Sequence, residues 1–198
     1  AVVHLSHFDG AEVFRLEHVE RVGDELRFDV VFTTRTPPEP TDLLVNGDFE
    51  SGTDAPEGWT NNAWIAGVEP FGYERTGGRN DSACVRISTE EPSYTYWSQR
   101  VAGLVVGRTY ELRGWIRGES VDGLGNPYGA GLAITTGTNS SPDDGMGTFE
   151  WTPFAMAFTA INDEMDLGAR LGGRFGNATG TIWIDDLELY ELMAPSAE

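Results

Sequence analysis

Tyr110, Glu111, Leu112, Arg113, Gly114, Trp115, Ile116 and Arg117 read as a strand. Tyr110, Leu112 and Ile116 share one face and Glu111, Arg113, Trp115 and Arg117 the other, the period of two expected of a half-buried strand. Trp115 therefore stands on the polar side. Similar runs recur at 83–88, 94–101, 130–135, 154–159, 167–171 and 181–192, separated by Gly, Asn, Asp and Pro clusters, with no helical period beyond a turn or two. About eight to ten short strands of this kind predict an all-β sandwich or jelly roll.

The last run breaks its own alternation. Ile182 and Ile184 are apolar at even positions, Leu187 and Leu189 at odd ones, and Asp185-Asp186 lies between them. A one-residue slip of phase implies a β-bulge. A carboxylate turned into a mostly apolar strand needs a partner to offset its desolvation. The sequence contains no Lys, so a hard cation such as calcium, held by carboxylate and carbonyl oxygens, is one candidate. A solvated pair at a strand end is the alternative.

Thirty-two acidic residues face thirteen basic ones, a net charge of −19. Nucleic acid is bound through clustered Lys and Arg, so this field argues against it, and equally against anionic membranes and acidic polysaccharides. It suits a protein kept soluble at high salt. No apolar run approaches the roughly 20 residues of a membrane span, and no signal-peptide pattern opens the chain. The lone cysteine, Cys84, lies in an apolar run and reads as an inert core thiol.

Residues 43–192 hold the main body, with a tail at 193–198. Before it, the Pro-rich stretch 37–42 reads as a spacer. Residues 1–36 form an arm in which 13–19 and 25–32 flank Gly23-Asp24 as a β-hairpin. An isolated hairpin is marginal in water, so the arm is expected to pack on the body or to end a preceding domain.

Catalysis lacks residues. His4, His7 and His18 all fall in the arm, so the body holds neither His nor Lys to act as a base. His4 and His7 have no nearby Glu of a zinc-protease helix. The glycine-rich 123–129 contains Pro127, which would spoil a pyrophosphate-binding helix. The pairs Glu90-Glu91 and Asp143-Asp144 are expected in so acidic a chain.

Five motifs in order carry a family resemblance: Asn46-Gly47-Asp48-Phe49-Glu50; Pro56-Glu57-Gly58-Trp59; Trp97 to Val101; Gly107 to Trp115; and Trp183 to Leu189. Together they resemble carbohydrate-binding modules of families four and nine, which share the galactose-binding-like jelly roll. The resemblance implies a structural Ca2+ joining the first and last strands. It would be held by the Glu50 side chain, the Asp48 carbonyl, the Asp185 carboxylate and carbonyls around Asn80 and Ala83. Asp48 departs from the glycine common in that family.

Sugar rings present apolar CH faces that stack on flat aromatics flanked by hydrogen-bonding groups. The candidates here are Trp64, Tyr96, Trp97, Arg113, Trp115 and Tyr128, while Phe49, Trp59 and Trp151 read as core or edge residues. Asn80, Asn139 and Asn177 head glycosylation-type triplets, and a glycan at Asn80 would conflict with a calcium loop. The leading expectation is a non-catalytic module of a secreted multidomain protein, docking it on a neutral polysaccharide such as xylan, β-glucan or cellulose. The alternative is a structural or cell-surface domain of the same calcium-stabilised fold that assembles with like subunits and binds no sugar.

Overall fold

The computed structural model describes residues 12–23, 25–34, 41–64, 70–134 and 144–192. Contacts divide the chain into two units, Ala1–Pro40 and Thr41–Glu198. In the first, β1 (Glu12–Val22) and β2 (Glu25–Thr34) pair antiparallel, with a bulge between Glu17 and Val19. Gly23 turns the chain at φ 66°, a conformation that costs glycine little. His4, His7, Asn139, the end of the arm at 35–36, spacer residues 37–40 and the tail 193–198 lie outside the described residues.

The second unit is a jelly-roll sandwich of two antiparallel sheets. One has the order β3 (Thr60–Ala63), β6 (Thr95–Ala102), β10 (Glu164–Leu171), β8 (Ala130–Ile134). The other runs β4 (Phe71–Glu74), β5 (Cys84–Ser93), β11 (Ala178–Glu191), β7 (Thr109–Asp122), β9 (Gly147–Thr159). Alternate residues of facing strands fill the space between them. Trp97, Val101, Leu132, Ile134, Leu167 and Leu171 come from the first sheet, and Val85, Ile87, Tyr110, Leu112, Ile116, Met156, Phe158, Ile182 and Ile184 from the second. Cys84 is buried, and burial, with Glu74 and Asp185 nearby, pushes its thiol up to about 12, which leaves it unreactive.

The phase slip is a bulge. Asp185 pairs with Trp115 and Glu188 with Arg113, so β11 advances three residues while β7 advances two. Asp186 takes up the difference at φ 50°. Ile184 and Leu187 thereby both reach the core although their positions differ in parity.

The opening segment 43–50 is not a strand. Leu43 N–H donates to the Leu189 carbonyl, and Gly47 accepts from Leu187 N–H, both at 2.9 Å. Asn46, between these bonds to β11, and Phe49, just past them, adopt positive φ. The Asn46 side chain donates to the carbonyls of Ser51 and Glu57 and accepts from Ser51 N–H, while its own carbonyl accepts the Trp59 indole N–H. The first two motifs are thus one hydrogen-bonded knot. A Cβ on Gly47 would lie 1.8 Å from the Leu187 oxygen, so only glycine fits there.

Candidate functional site

On the four-stranded sheet, residues between the core positions face away from the sandwich. One row across it is Asn62, Tyr96, Arg170 and Gly131, neighbours by register. Tyr96 packs beside Tyr94 with ring centroids 5.3 Å apart, and Tyr94 beside Trp64 at 6.3 Å. The three rings form a ladder along one end of the sheet. Trp64 N–H donates to the Tyr94 carbonyl, which fixes the chain at its upper rung. Trp64 is 67% exposed and Tyr96 half-buried, whereas Tyr94 is 7% exposed and lies outside the inter-sheet core. The ladder is an open aromatic step on a buried footing. Burial raises the Tyr94 hydroxyl pKa, against the pull of Arg170 and Arg174.

Arg170 anchors the rim behind this ladder. Its guanidinium is buried and pairs with Asp144 at 2.7 Å, while Nη1 donates to the carbonyls of Gly129 and Gly172. Asp144 returns the link by accepting Gly129 N–H at 3.0 Å. Arg170 Nε has no partner among the described residues. Tyr128 packs over this network: its ring would be met within 2.6 Å by a Cβ on Gly173 or on Gly176. Arg170, Asp144 and Arg174 were not expected from the sequence. An arginine between Ala169 and Leu171, in the otherwise uncharged run 167–171, was the available signal.

A second cluster lies at the β11 bulge. Asp185 is fully buried. Its Oδ2 accepts Arg79 N–H at 2.8 Å and the Ser82 hydroxyl at 2.6 Å, and its Oδ1 accepts Asp186 N–H at 2.8 Å. Glu50 Oε1 accepts Ala83 N–H at 2.7 Å. No arginine among the described residues pairs with Asp185, since the Arg79 guanidinium goes to Asp186 at 2.7 Å. Burial pushes the Asp185 carboxyl up to about 6, against the Ser82 and backbone hydrogen bonds that lower it.

The donor chemistry of this cluster can be tested at Gly78. A Cβ there would stand 2.7 Å from each of three oxygens, the Ser82 and Ala83 carbonyls and Asp185 Oδ2. These oxygens converge on one side of a glycine that leaves the space open. Among the described residues no three His, Cys, Asp or Glu side chains gather to hold a metal. A cation here would depend on carbonyls beside carboxylate, a set that suits calcium and not zinc. Of the expected ligands, Glu50, Ala83 and Asp185 come together. Asp48, expected through its backbone carbonyl, turns its carboxylate to Glu50 N–H, and Asn80 lies in the neighbouring 3-10 turn at φ 59°. Ser82 joins them unforeseen.

The expected ligand-contacting residues divide among three places. Trp64, Tyr96 and Tyr128 lie at the four-stranded face. Trp97 does not: it is buried in the core, donating its indole N–H to the Arg86 carbonyl and meeting Phe71 edge-on at 5.5 Å. Adjacent residues of a strand point to opposite faces, so Tyr96 and Trp97 cannot serve one surface. Arg113 and Trp115 stand on the outer face of the five-stranded sheet. There the Arg79 guanidinium lies 4.0 Å over the Trp115 ring and closes that ring face to a sugar. Arg113 pairs with Glu188 at 2.7 Å and covers Tyr190, and Arg117 lies 4.2 Å over Trp183. These aromatics are occupied by the protein's own cations.

No protein-family model matches the chain, and no curated protein matches it in sequence. Its fold is similar to a putative sugar binding protein from Bacteroides thetaiotaomicron (TM-score 0.55, 15% identity, covering 77% of this chain and 100% of that one). It is also similar to the CBM22-2 xylan-binding domain from Paenibacillus barcinonensis (TM-score 0.51, 14% identity, 73% and 97%). A third likeness is to the enzymatically active domain of bacteriophage CBA120 tailspike protein 4 (TM-score 0.51, 13% identity), where 76% of this chain spans 21% of that one. At these identities the likeness establishes a shared jelly-roll fold, that of carbohydrate-binding modules.

Proposed function

We propose that the body is a carbohydrate-binding module, which acts by docking on a polysaccharide main chain and not by catalysis. The observation that carries this reading is the ladder Trp64, Tyr94 and Tyr96, open to solvent at one end and seated on a rigid sheet. Sugar CH faces stack on such rings, and Asn62, beside Tyr96 in the same row, offers an amide to ring hydroxyls. The fold shared with sugar-binding and xylan-binding domains supports it, as does the contrast with the opposite face, whose rings are covered by arginines. Glu50, Ser82, Ala83 and Asp185 would hold a structural Ca2+, which supplies positive charge to a buried carboxylate and ties the opening segment to β11. Such a module would belong to a secreted protein with further domains, and the described residues contain no helix long and apolar enough to cross a membrane.

The test is affinity electrophoresis against soluble xylan, β-glucan, cellulose derivatives and galactans. The wild-type protein should be retarded by at least one, and Trp64→Ala should lose that retardation while keeping its thermal midpoint, because Trp64 is exposed. Stacking is worth about 0.5–1.5 kcal/mol beyond burial, so roughly tenfold weaker binding is expected. Passage of the wild-type protein through every gel unretarded would sink this reading in favour of a structural assembly domain.

A further inference from the structure

The body contains nine arginines, and their use is nearly uniform. Arg79, Arg86, Arg100, Arg108, Arg113 and Arg170 each pair with a carboxylate. Arg117 lies over Trp183 and Trp151, and Arg75 donates to the Gly52 carbonyl and the Tyr73 hydroxyl. Arg174 is the exception. Among the described residues its one recorded contact is with the ring of its neighbour Phe175, at 6.0 Å. In a chain of net charge −19, an exposed arginine with neither a carboxylate nor a hydrogen bond among the described residues stands apart.

Its position sets it near the aromatic ladder. Arg174 and Phe175 form the tip of a turn closed by two hydrogen bonds between Gly173 and Gly176. The turn follows β10 directly. It is held against Tyr128 by glycines that admit no side chain, and a Cβ on Gly172 would strike the Ser93 carbonyl, one residue before Tyr94. The tip is therefore fixed at the end of the sheet that carries the aromatic ladder. Phe175 is 70% exposed, as open as Trp64. The positive charges acting on the Tyr94 hydroxyl are Arg170, already neutralised by Asp144, and Arg174. A cation with no carboxylate partner among the described residues thus stands beside stacking rings at the one place where a glycan is proposed to lie.

We propose that the glycan bound at this face carries acidic branches, and that Arg174 receives a uronate carboxylate beside the Trp64–Tyr94–Tyr96 ladder. The inference rests on the glycan-binding reading and narrows its ligand class from a neutral polysaccharide to a neutral main chain bearing uronic acid. A planar guanidinium matches a carboxylate through two parallel N–H···O bonds, a fit that neutral hydroxyls do not reproduce. The chain's overall acidity does not oppose it. Long-range repulsion is screened beyond roughly 8–10 Å at ordinary salt, whereas the contact with Arg174 is direct.

The experiment uses the full chain and paired probes: glucuronoxylan and a glucuronate-branched galactan, each beside its carboxyl-reduced form. Reduction keeps the sugar and removes the charge. The wild-type protein should bind at least one acidic member about two- to fivefold more tightly than its reduced partner, the range of an exposed ion pair. That preference should shrink as salt is raised. Arg174→Gln should abolish it while still binding the reduced member, whereas Trp64→Ala should weaken both. Equal binding of every pair, or a preference that survives Arg174→Gln, overturns the inference and leaves glycan binding standing. No binding to any of these probes overturns the inference, and the glycan-binding reading falls with it only when the protein also passes unretarded through the xylan, β-glucan, cellulose and galactan gels.

Discussion

The pair Arg170–Asp144 offers a measurement whose size follows from burial. Arg170 is 1% exposed and the Asp144 side chain 7%, with 2.7 Å between guanidinium and carboxylate. Removing one member of such a pair strands the other charge in a low-dielectric site, which costs about 3–5 kcal/mol. Asp144→Ala also frees the Gly129 N–H that Asp144 accepts, so the upper half of that range applies. For a domain of this size each kcal/mol lowers the midpoint by about 2–4 °C, giving a fall of roughly 8–20 °C by calorimetry. Arg170→Met should cost less. Asp144 then keeps Gly129 N–H, and only the Gly129 and Gly172 carbonyls lose their donor. In the double variant both charges are gone, and its loss should fall short of the summed single losses by about 2–3 kcal/mol. A coupling below about 0.5 kcal/mol, or an Asp144→Ala loss under about 1 kcal/mol, would show that water reaches the pair, and that the rim behind the ladder is not held as described.

Two further outcomes are expected. Calcium at a hundred times its dissociation constant should stabilise the protein by about 2.7 kcal/mol, roughly 5–11 °C, and the effect should vanish in Asp185→Asn. Its pH dependence has a definite sign. Asp185 is raised to about 6 in the metal-free fold, so its contribution to metal-free stability is fully present below the unfolded carboxylate range and is lost as pH rises through about 6. Calcium must displace that proton, so its stabilising shift should be larger at pH 8 than at pH 5; equal shifts in a thermal melt would remove Asp185 from the site. Gly47→Ala should destabilise by at least about 1–3 kcal/mol in urea titration, because its Cβ would meet the Leu187 oxygen at 1.8 Å. A neutral result there would mean that the opening segment is not pinned to the bulge.

Much of the sandwich was legible because core positions alternate cleanly. The runs around 83–88, 110–117 and 181–192 became β5, β7 and β11, and the slip at Asp185 became the bulge. Two strands, β3 and β4, were not legible. β3 is Thr-Asn-Asn-Ala at the edge of its sheet, with no apolar alternation to reveal it. The opening segment misled in the opposite direction. The resemblance implied a first strand there, but Asn46 binds its own neighbours through its side chain and so takes the left-handed conformation. At the candidate site, composition identified aromatics but not their faces. Tyr96 and Trp97 are adjacent, and only the register decides which one looks outward.

Counting aromatics therefore misplaces the site unless the cations are counted with them. Trp115, Trp183 and Tyr190 stand on a sheet face as Tyr96 does, yet each lies under an arginine within 4.0–4.6 Å. With Lys absent, the protein has few cations to spend on rings, and on the five-stranded face Arg79 and Arg113 bond at the same time to Asp186 and Glu188. That face is neutralised twice, by stacking and by ion pairing, and its open cavity over Trp115 is lined by the same arginines and carboxylates already paired with one another. Across the sandwich the pattern reverses: among the described residues no arginine covers Trp64 and no carboxylate pairs with Arg174. A ligand that brings both a flat apolar face and an acidic group would complete each deficit at once. This is the physical reason for assigning binding to the four-stranded face and structure to the five-stranded one.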